Sequence, residues 1–258
     1  MIFKNFLSIK KNKIIKKDLL NLLKKQPKLF ETLKPNYQYS YSKKIISKYQ
    51  KFDNIRIIGM GGSVLGTEAI YNFLKKKIKK KFTFVNNLNS NADYFKDKNI
   101  NLNLIISKSG NTLETIANAN TLIKSKDSNI VITENKNSYL TDLAKKLKAE
   151  IFEHKNYVGG RYSVLSEVGM LPAELMNLNE NKFKQFNNLI KNKTFTNNLV
   201  NNVAATLNLI KNGKYTSVIL NYDEKSENLF KWYQQLIAES LGKKSKGILP
   251  IISSMPKD

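Results

Sequence analysis

Three hydroxyls, one ammonium and a glycine stand within the run Ser107-Lys108-Ser109-Gly110-Asn111-Thr112. A phosphate monoester is held by several donors at once, and charged donors bond it roughly twice as strongly as neutral ones. The run follows an apolar strand-like stretch and opens a helical pattern, where free N–H groups and the helix dipole favour an anion. Asn111 with Glu114 three residues on reads as a capping box. Capping accounts for those two residues; it leaves Ser107, Ser109 and Thr112 for phosphate.

The run Ile58-Gly59-Met60-Gly61-Gly62-Ser63-Val64-Leu65-Gly66 also joins a strand-like stretch to a helix, a second setting for an anion. Two nucleotide readings fail on particular residues. Val64 stands where a dinucleotide fingerprint has its third glycine or alanine, and the next strand ends in Asn86-Asn87 rather than an acid. Gly61 and Gly66 have Walker-loop spacing, but Thr67-Glu68 replaces the Lys-Ser/Thr pair. Further on, Val158-Gly159-Gly160-Arg161-Tyr162-Ser163 lets backbone approach a ligand and offers a guanidinium for developing negative charge. A plain turn is the alternative there. Last, Gln235 and Glu239 lie four apart on one helical face in Trp232–Ser240. Glu239 falls in the final turn before Gly242, where the dipole disfavours an acid by ~0.3–1 kcal/mol.

These residues need elements to hold them. Residues 1–50 are rich in Lys, Leu and Ile at helical spacing, with turns at Pro27 and Pro35, and are expected to form a helical arm. From Lys51, short β-branched runs alternate with amphipathic stretches, the mark of βαβ units and a parallel sheet. The predicted strands are Ile55–Ile58, Phe82–Val85, Leu102–Ser107, Ile130–Thr133 and Glu150–Phe152, with helices near 64–77, 91–97, 112–125 and 139–148. Together they make an α/β domain over 51–178, a five-stranded parallel sheet flanked by helices. Residues 179–258 carry a helix around Leu199–Ile210 and one further unit: strand Ser217–Asn221, helix Ser226–Leu241, strand Ile248–Ile252. Two strands and one crossover are expected to be an incomplete second domain.

Composition narrows the partners. The 44 basic against 20 acidic residues give a net charge of +24, which suits an anionic partner or simply lysines on solvated faces. Its longest basic stretch, Lys75–Lys81, is expected to close a helix, where cations complement the dipole. No zinc-finger spacing, RNA-binding aromatic motif or heptad repeat accompanies the charge, so no nucleic-acid partner is expected. No 18-residue apolar run spans a membrane and the start lacks signal-peptide features. Zero cysteines exclude thiolate chemistry and fit a reducing cytoplasm.

In order and spacing, the Gly-Gly-Ser turn, Ser-Lys-Ser-Gly-Asn-Thr-x-Glu-Thr, Val-Gly-Gly-Arg-Tyr-Ser and Gln-x-x-Ala-Glu-Ser-x-Gly-Lys resemble the glucose-6-phosphate isomerase family. The resemblance runs from about Ile55 to Asp258. It implies the sugar-isomerase (SIS) fold, a flavodoxin-like three-layer sandwich normally present twice. It implies interconversion of glucose 6-phosphate and fructose 6-phosphate through an enediolate, without metal or organic cofactor. It places Ser107, Lys108, Ser109 and Thr112 on the sugar phosphate, Gly62 and Ser63 along the sugar, and Gln235 on substrate. It makes Glu239 the base and Arg161 the enediolate's cation. Burial beside Trp232 or Leu236 is expected to raise the Glu239 pKa, with Arg161 opposing. The family's ring-opening histidine, donated across a homodimer, and an assisting carboxyl-end lysine match no residue here, so the chain is expected to be truncated. His154, the only histidine, does not match and reads as an ordinary loop or strand-end residue. The alternative is a non-catalytic phosphosugar-binding module of the same domain type.

Overall fold

The structure, a computed structural model, describes residues 12–88, 102–124, 126–244 and 246–253. The helix expected at 91–97 and the final residues Met255–Asp258 lie outside these. Among the described residues the strands are β1 (Asn54–Gly59), β2 (Lys81–Val85), β3 (Leu102–Ile106), β4 (Ser128–Thr133), β5 (Glu150–Glu153), β6 (Thr216–Leu220) and β7 (Leu249–Ser253). The helices are α1 (Asn12–Lys25), α2 (Lys43–Ser47), α3 (Leu65–Phe73), α4 (Leu113–Leu122), α5 (Tyr139–Lys146), α6 (Glu167–Leu175), α7 (Phe186–Lys191), α8 (Lys193–Lys211) and α9 (Glu227–Leu241).

The first five strands form one parallel sheet in the order β2-β1-β3-β4-β5. Their near-continuous apolar runs follow from burial on both faces. Ile57, Leu104 and Ile132 pack on one side with Ile70 of α3 and Met170 and Leu171 of α6. Ile58, Ile105 and Val131 pack on the other with Ala119 and Leu122 of α4 and Leu140 and Ala144 of α5. The result is the expected three layers. Strand order reverses between β1 and β3, so the crevice beyond their carboxyl ends is where such sheets take ligands.

Two expectations about the ends of elements change. The Lys75–Lys81 run does not close a helix: α3 stops at Phe73 and Lys75–Lys77 form a 3₁₀ turn. Buried Ile78 has to join the core, which turns the chain inward and leaves Lys75–Lys77 outside, while Lys80 is buried with its ammonium on Gln50. Nor is the amino-terminal arm helical throughout. After the 3₁₀ segment Lys28–Leu33, the stretch before α2 holds Tyr37, Tyr39 and Tyr41 at alternate positions, their rings in mutual contact. Alternation presents all three to the interior, where α-helical spacing would scatter them. The Tyr37 hydroxyl and the Ser40 amide both donate to buried Glu167 of α6. The first helix, α1, packs on α8, with Asn12 Nδ2 donating to Asn201 Oδ1 at 2.7 Å.

Lys184 is buried in the same seam. Its ammonium donates to the carbonyls of Thr32 and Leu165 and lies over the rings of Tyr37 and Tyr39. Burial pushes its pKa down to about 8, against the pull of Glu167 and Glu180. Between that value and the ordinary lysine range the unfolded chain holds more protons than the folded one, so this group makes stability rise with pH. Urea unfolding is expected to show stability climbing from pH 8 to 9, by at most about 1.4 kcal/mol per pH unit, before Tyr37, Tyr39 and Tyr41, which burial holds protonated in the folded state, reverse the trend near pH 10. In Lys184→Met that part of the slope disappears, whatever the change in absolute stability. An unchanged slope would place the ammonium in water.

Strands β6 and β7 pair in parallel as a separate two-stranded sheet, joined by α9. The side chains of Val218, Leu220 and Leu249 on these strands are exposed. On its other side α9 packs along α3, which brings the end of α9 to the β1 turn.

Candidate active site

β1 leads into the turn Gly61–Ser63, which has 3₁₀ geometry. Gly61 has φ +51°, a region that favours glycine, and a Cβ there would stand 2.7 Å from Gln235 Nε2. Gly62 is tighter: its added Cβ would fall 2.3 Å from the Gly160 carbonyl carbon and 2.5 Å from the Arg161 nitrogen. The two glycine-rich turns therefore touch backbone to backbone. Ser163 pins them together, its hydroxyl within 3.2 Å of the Gly62 oxygen and 2.6 Å of the Gly160 oxygen. Ser63 is buried at the end of its turn, with its amide on the Met60 carbonyl.

Arg161 lies in the 3₁₀ segment Gly160–Leu165, facing the end of α9. Its Nη1 donates to Glu239 Oε2 at 3.2 Å and its Nε to Ser240 Oγ at 2.9 Å. Gln235, one turn before Glu239, donates from Nε2 to Glu239 Oε1 at 2.8 Å, as their shared face requires. Both carboxylate oxygens are thus oriented by donors. Burial pulls the Arg161 guanidinium down, but Tyr162 and Glu239 outweigh it and its net shift is upward, so it stays a cation. The expected burial of Glu239 does not hold, because its side chain is 48% exposed. Trp232 sits two turns back, its indole Nε1 donating to the Arg161 carbonyl at 3.1 Å.

The hydroxyl-rich turn follows β3, the strand paired directly with β1, and Ser107 Oγ, Ser109 Oγ and Thr112 Oγ1 cluster within 2.8–3.5 Å of one another. Ser107 Oγ and Ser109 Oγ also accept from the Gly110 and Asn111 amides at 3.2 Å, and the hydroxyl protons themselves can rotate outward when an anion arrives. Gly110 is obligatory in the turn: its φ is +69° and a Cβ would lie 2.2 Å from Ser138 Oγ. The capping box expected from Asn111 and Glu114 is not there. Thr112 is the N-cap of α4 and its side chain makes no capping bond, being engaged in the hydroxyl cluster. Asn111 Oδ1 instead accepts from the Tyr139 amide at the start of α5, where Ser138 and Thr141 make a capping box of their own.

Lys108 points elsewhere than its neighbours. Its Nζ donates to the Asn156 carbonyl at 2.8 Å and lies 3.6 Å from Glu134 Oε1. His154 is buried close by, its Nδ1 3.2 Å from the Lys155 carbonyl, and burial lowers its pKa. Among the described residues no hydrogen bond or ion pair joins the hydroxyl cluster to the Arg161–Glu239 pair; the cluster follows β3, and the pair packs by way of Gln235 and Gly160 against the turn that follows the neighbouring strand β1. No group of three His, Cys, Asp or Glu side chains gathers as a metal site among those residues, and no helix is long and apolar enough to cross a membrane. A groove of about 810 Å³ lies at the far end of α3, between Lys75–Lys77 and Asp223–Asn228. It carries both signs of charge and none of the hydroxyl motifs, so cleft size alone does not mark the site.

Sequence reasoning missed Ser240 and Trp232 as partners of Arg161. Ser240 adjoins Glu239, and neighbours in a helix point about 100° apart, so helical spacing gave no reason to pair both with one guanidinium.

A family model described as phosphoglucose isomerase matches residues 8–249. The glucose-6-phosphate isomerase of Methanocaldococcus jannaschii is 34% identical over 232 residues, 83% of this chain and 57% of that protein. The glucose-6-phosphate isomerase of Mycoplasmopsis synoviae is 31% identical over 225 residues, 78% of this chain and 52% of that protein. The chain spans about half the length of the curated relatives it matches. Among solved structures, a hypothetical protein of Thermus thermophilus superposes with a TM-score of 0.75 at 21% identity, covering 96% of this chain and 65% of that one. The tagatose-6-phosphate ketose/aldose isomerase of Escherichia coli superposes with a TM-score of 0.54 at 16% identity, covering 95% and 64%. At these identities the structural likenesses speak for the fold.

Proposed function

The chain belongs to the phosphoglucose isomerase family, and from that premise we propose that it takes part in interconverting glucose 6-phosphate and fructose 6-phosphate. The observation that carries this reading is the carboxylate of Glu239 held by Arg161 and Gln235 against the β1 turn, one strand away from the Ser107–Ser109–Thr112 hydroxyls.

The hydroxyls and the amino end of α4 hold the phosphoryl group, which leaves the reacting carbons toward the Arg161–Glu239 pair. From the open-chain aldose, the Glu239 carboxylate takes the proton from C2. The C–H electrons form the C1–C2 double bond, and charge moves onto the carbonyl oxygen at C1. Arg161 offers that oxygen a fixed cation, already oriented before the charge develops. The C2 hydroxyl gives its proton to that oxygen as C2 becomes the carbonyl, and Glu239 returns its own proton to C1. One base serves both carbons because they are adjacent. Lys108, tied to Asn156, contributes positive charge near the phosphate turn rather than a direct bond in this arrangement. The working assembly in this reading is a homodimer. Val158–Ser163 and Gln235–Ser240 belong to one copy of the chain.

A coupled assay on the full protein carrying this chain tests the reading. Wild type is expected to interconvert the two sugar phosphates. Thr112→Val, which keeps the volume and loses one hydroxyl, is expected to raise KM about 10-fold or more with kcat little changed, since bonds to charged groups contribute ~1.5–3 kcal/mol. Stabilisation by glucose 6-phosphate without turnover in the wild type would select the non-catalytic module instead.

A further inference from the structure

The Arg161 backbone is held on every side. Ser163 clasps the Gly160 and Gly62 carbonyls, and the Trp232 indole donates to the Arg161 carbonyl at 3.1 Å. Its side chain is still long and flexible, and a surface pairing with half-exposed Glu239 would not by itself fix it. Three further contacts do. The Tyr162 ring lies beneath the guanidinium, 4.7 Å from centroid to carbon. Arg161 Nε, which can only donate, bonds Ser240 Oγ at 2.9 Å. Ser240 Oγ in turn bonds the Tyr162 hydroxyl at 2.6 Å.

We propose that Ser240 is a positioning residue which, together with the Tyr162 hydroxyl, locks the rotation of the Arg161 guanidinium and so aims its remaining N–H groups at the substrate oxygen. The inference rests on the proposed isomerase reading. A serine near a helix end commonly satisfies itself on the carbonyl four residues back. The side-chain bonds described for Ser240 both cross to the Gly160–Leu165 segment instead, so the hydroxyl is committed to a neighbouring element. Consecutive residues of α9 thus grip one planar cation at two nitrogens, Ser240 at Nε and Glu239 at Nη1. With those two donors placed, the plane of the guanidinium is set. The Tyr162 hydroxyl carries the mark of this closed set: the Ser240 bond, and then Arg161, draw it below the ordinary tyrosine range against the opposing effect of burial.

The test is made on the full protein carrying this chain, with Ser240→Ala, Ser240→Thr and Tyr162→Phe. Ser240→Ala is expected to lower kcat for sugar-phosphate isomerisation about 10–100-fold, the scale of a misplaced catalytic group, while KM changes less than about 3-fold. Ser240→Thr keeps the hydroxyl and is expected to recover most of that loss. Independently of turnover, the ¹⁵N-detected Nε–H signal of Arg161, assigned by its loss in Arg161→Lys, is expected to shift and to exchange faster with water in Ser240→Ala. An unmoved Nε–H signal, or an unchanged kcat, overturns the inference. If Ser240→Ala does not fold, Tyr162→Phe carries the same two readings, with a smaller expected loss of about 3–10-fold because the ring contact survives. A wild type that fails to isomerise would sink the isomerase reading alone, and the Nε–H signal would still decide whether Ser240 holds Arg161.

Discussion

Glu239→Gln is expected to lower kcat for isomerisation by about 10²–10⁴-fold, the range a positioned general base contributes, while phosphosugar binding stays within a few-fold. The amide matches the carboxylate in shape and keeps an oxygen for Arg161 Nη1, and the Gln235 amide, whose Oε1 has no partner among the described residues, can turn to accept from the new NH2. What it loses is the capacity to take a proton from carbon. The fold has little stake in this residue: the Arg161–Glu239 pair is partly exposed, 23% and 48%, and such pairs contribute only about 0–1 kcal/mol. Removing an acid from the last turn of α9 even relieves a mild conflict with the helix dipole. Thermal stabilisation by glucose 6-phosphate measures binding and the coupled assay measures turnover. A variant that keeps more than a third of wild-type kcat would show that Glu239 is not the base.

Gly62→Ala tests the same site through its backbone. The new methyl would stand 2.3 Å from the Gly160 carbonyl carbon and 2.5 Å from the Arg161 nitrogen, and neither is the movable end of a side chain. The two turns must separate, which carries Arg161 away from the sugar. A displacement of about 1 Å at a reacting group can cost 10²-fold, so kcat is expected to fall at least that far. Overpacking of this kind costs typically ~1–3 kcal/mol, visible as a lower urea midpoint. Gly160→Ala is the matched control for stability, because its added Cβ meets nothing within 4 Å. Equal midpoints for the two variants would mean that the turns are not in contact.

Long-range apolar patterning made the first sheet legible. Runs such as Ile55–Ile58 and Leu102–Ser107 are too continuous for a half-exposed strand, and the structure buries them between two helical layers. The turns after β1 and β3 were legible for a related reason. Gly61, Gly62 and Gly110 are demanded by backbone conformation or close approach, and the hydroxyls by the anion they suit. Side-chain partners were not. Asn111 has the spacing of a capping residue, yet it goes to the Tyr139 amide because Ser138 brings α5 alongside. Lys108 sits among phosphate-type hydroxyls, yet Asn156 and Glu134 draw it aside.

From the residues alone came the strands, the parallel sheet and the chemical character of each turn, because these depend on local conformation and on periodicities of two and 3.6. Tertiary structure alone decided that α9 packs along α3 and so delivers Glu239, Gln235 and Ser240 to a turn more than 170 positions earlier in the chain. It also decided that Glu239 stands in solvent, and that Arg161 is steered by a serine no spacing rule would select. The reason is physical. Propensity and pattern act within one element, whereas which donor meets which acceptor is settled by the packing of whole layers.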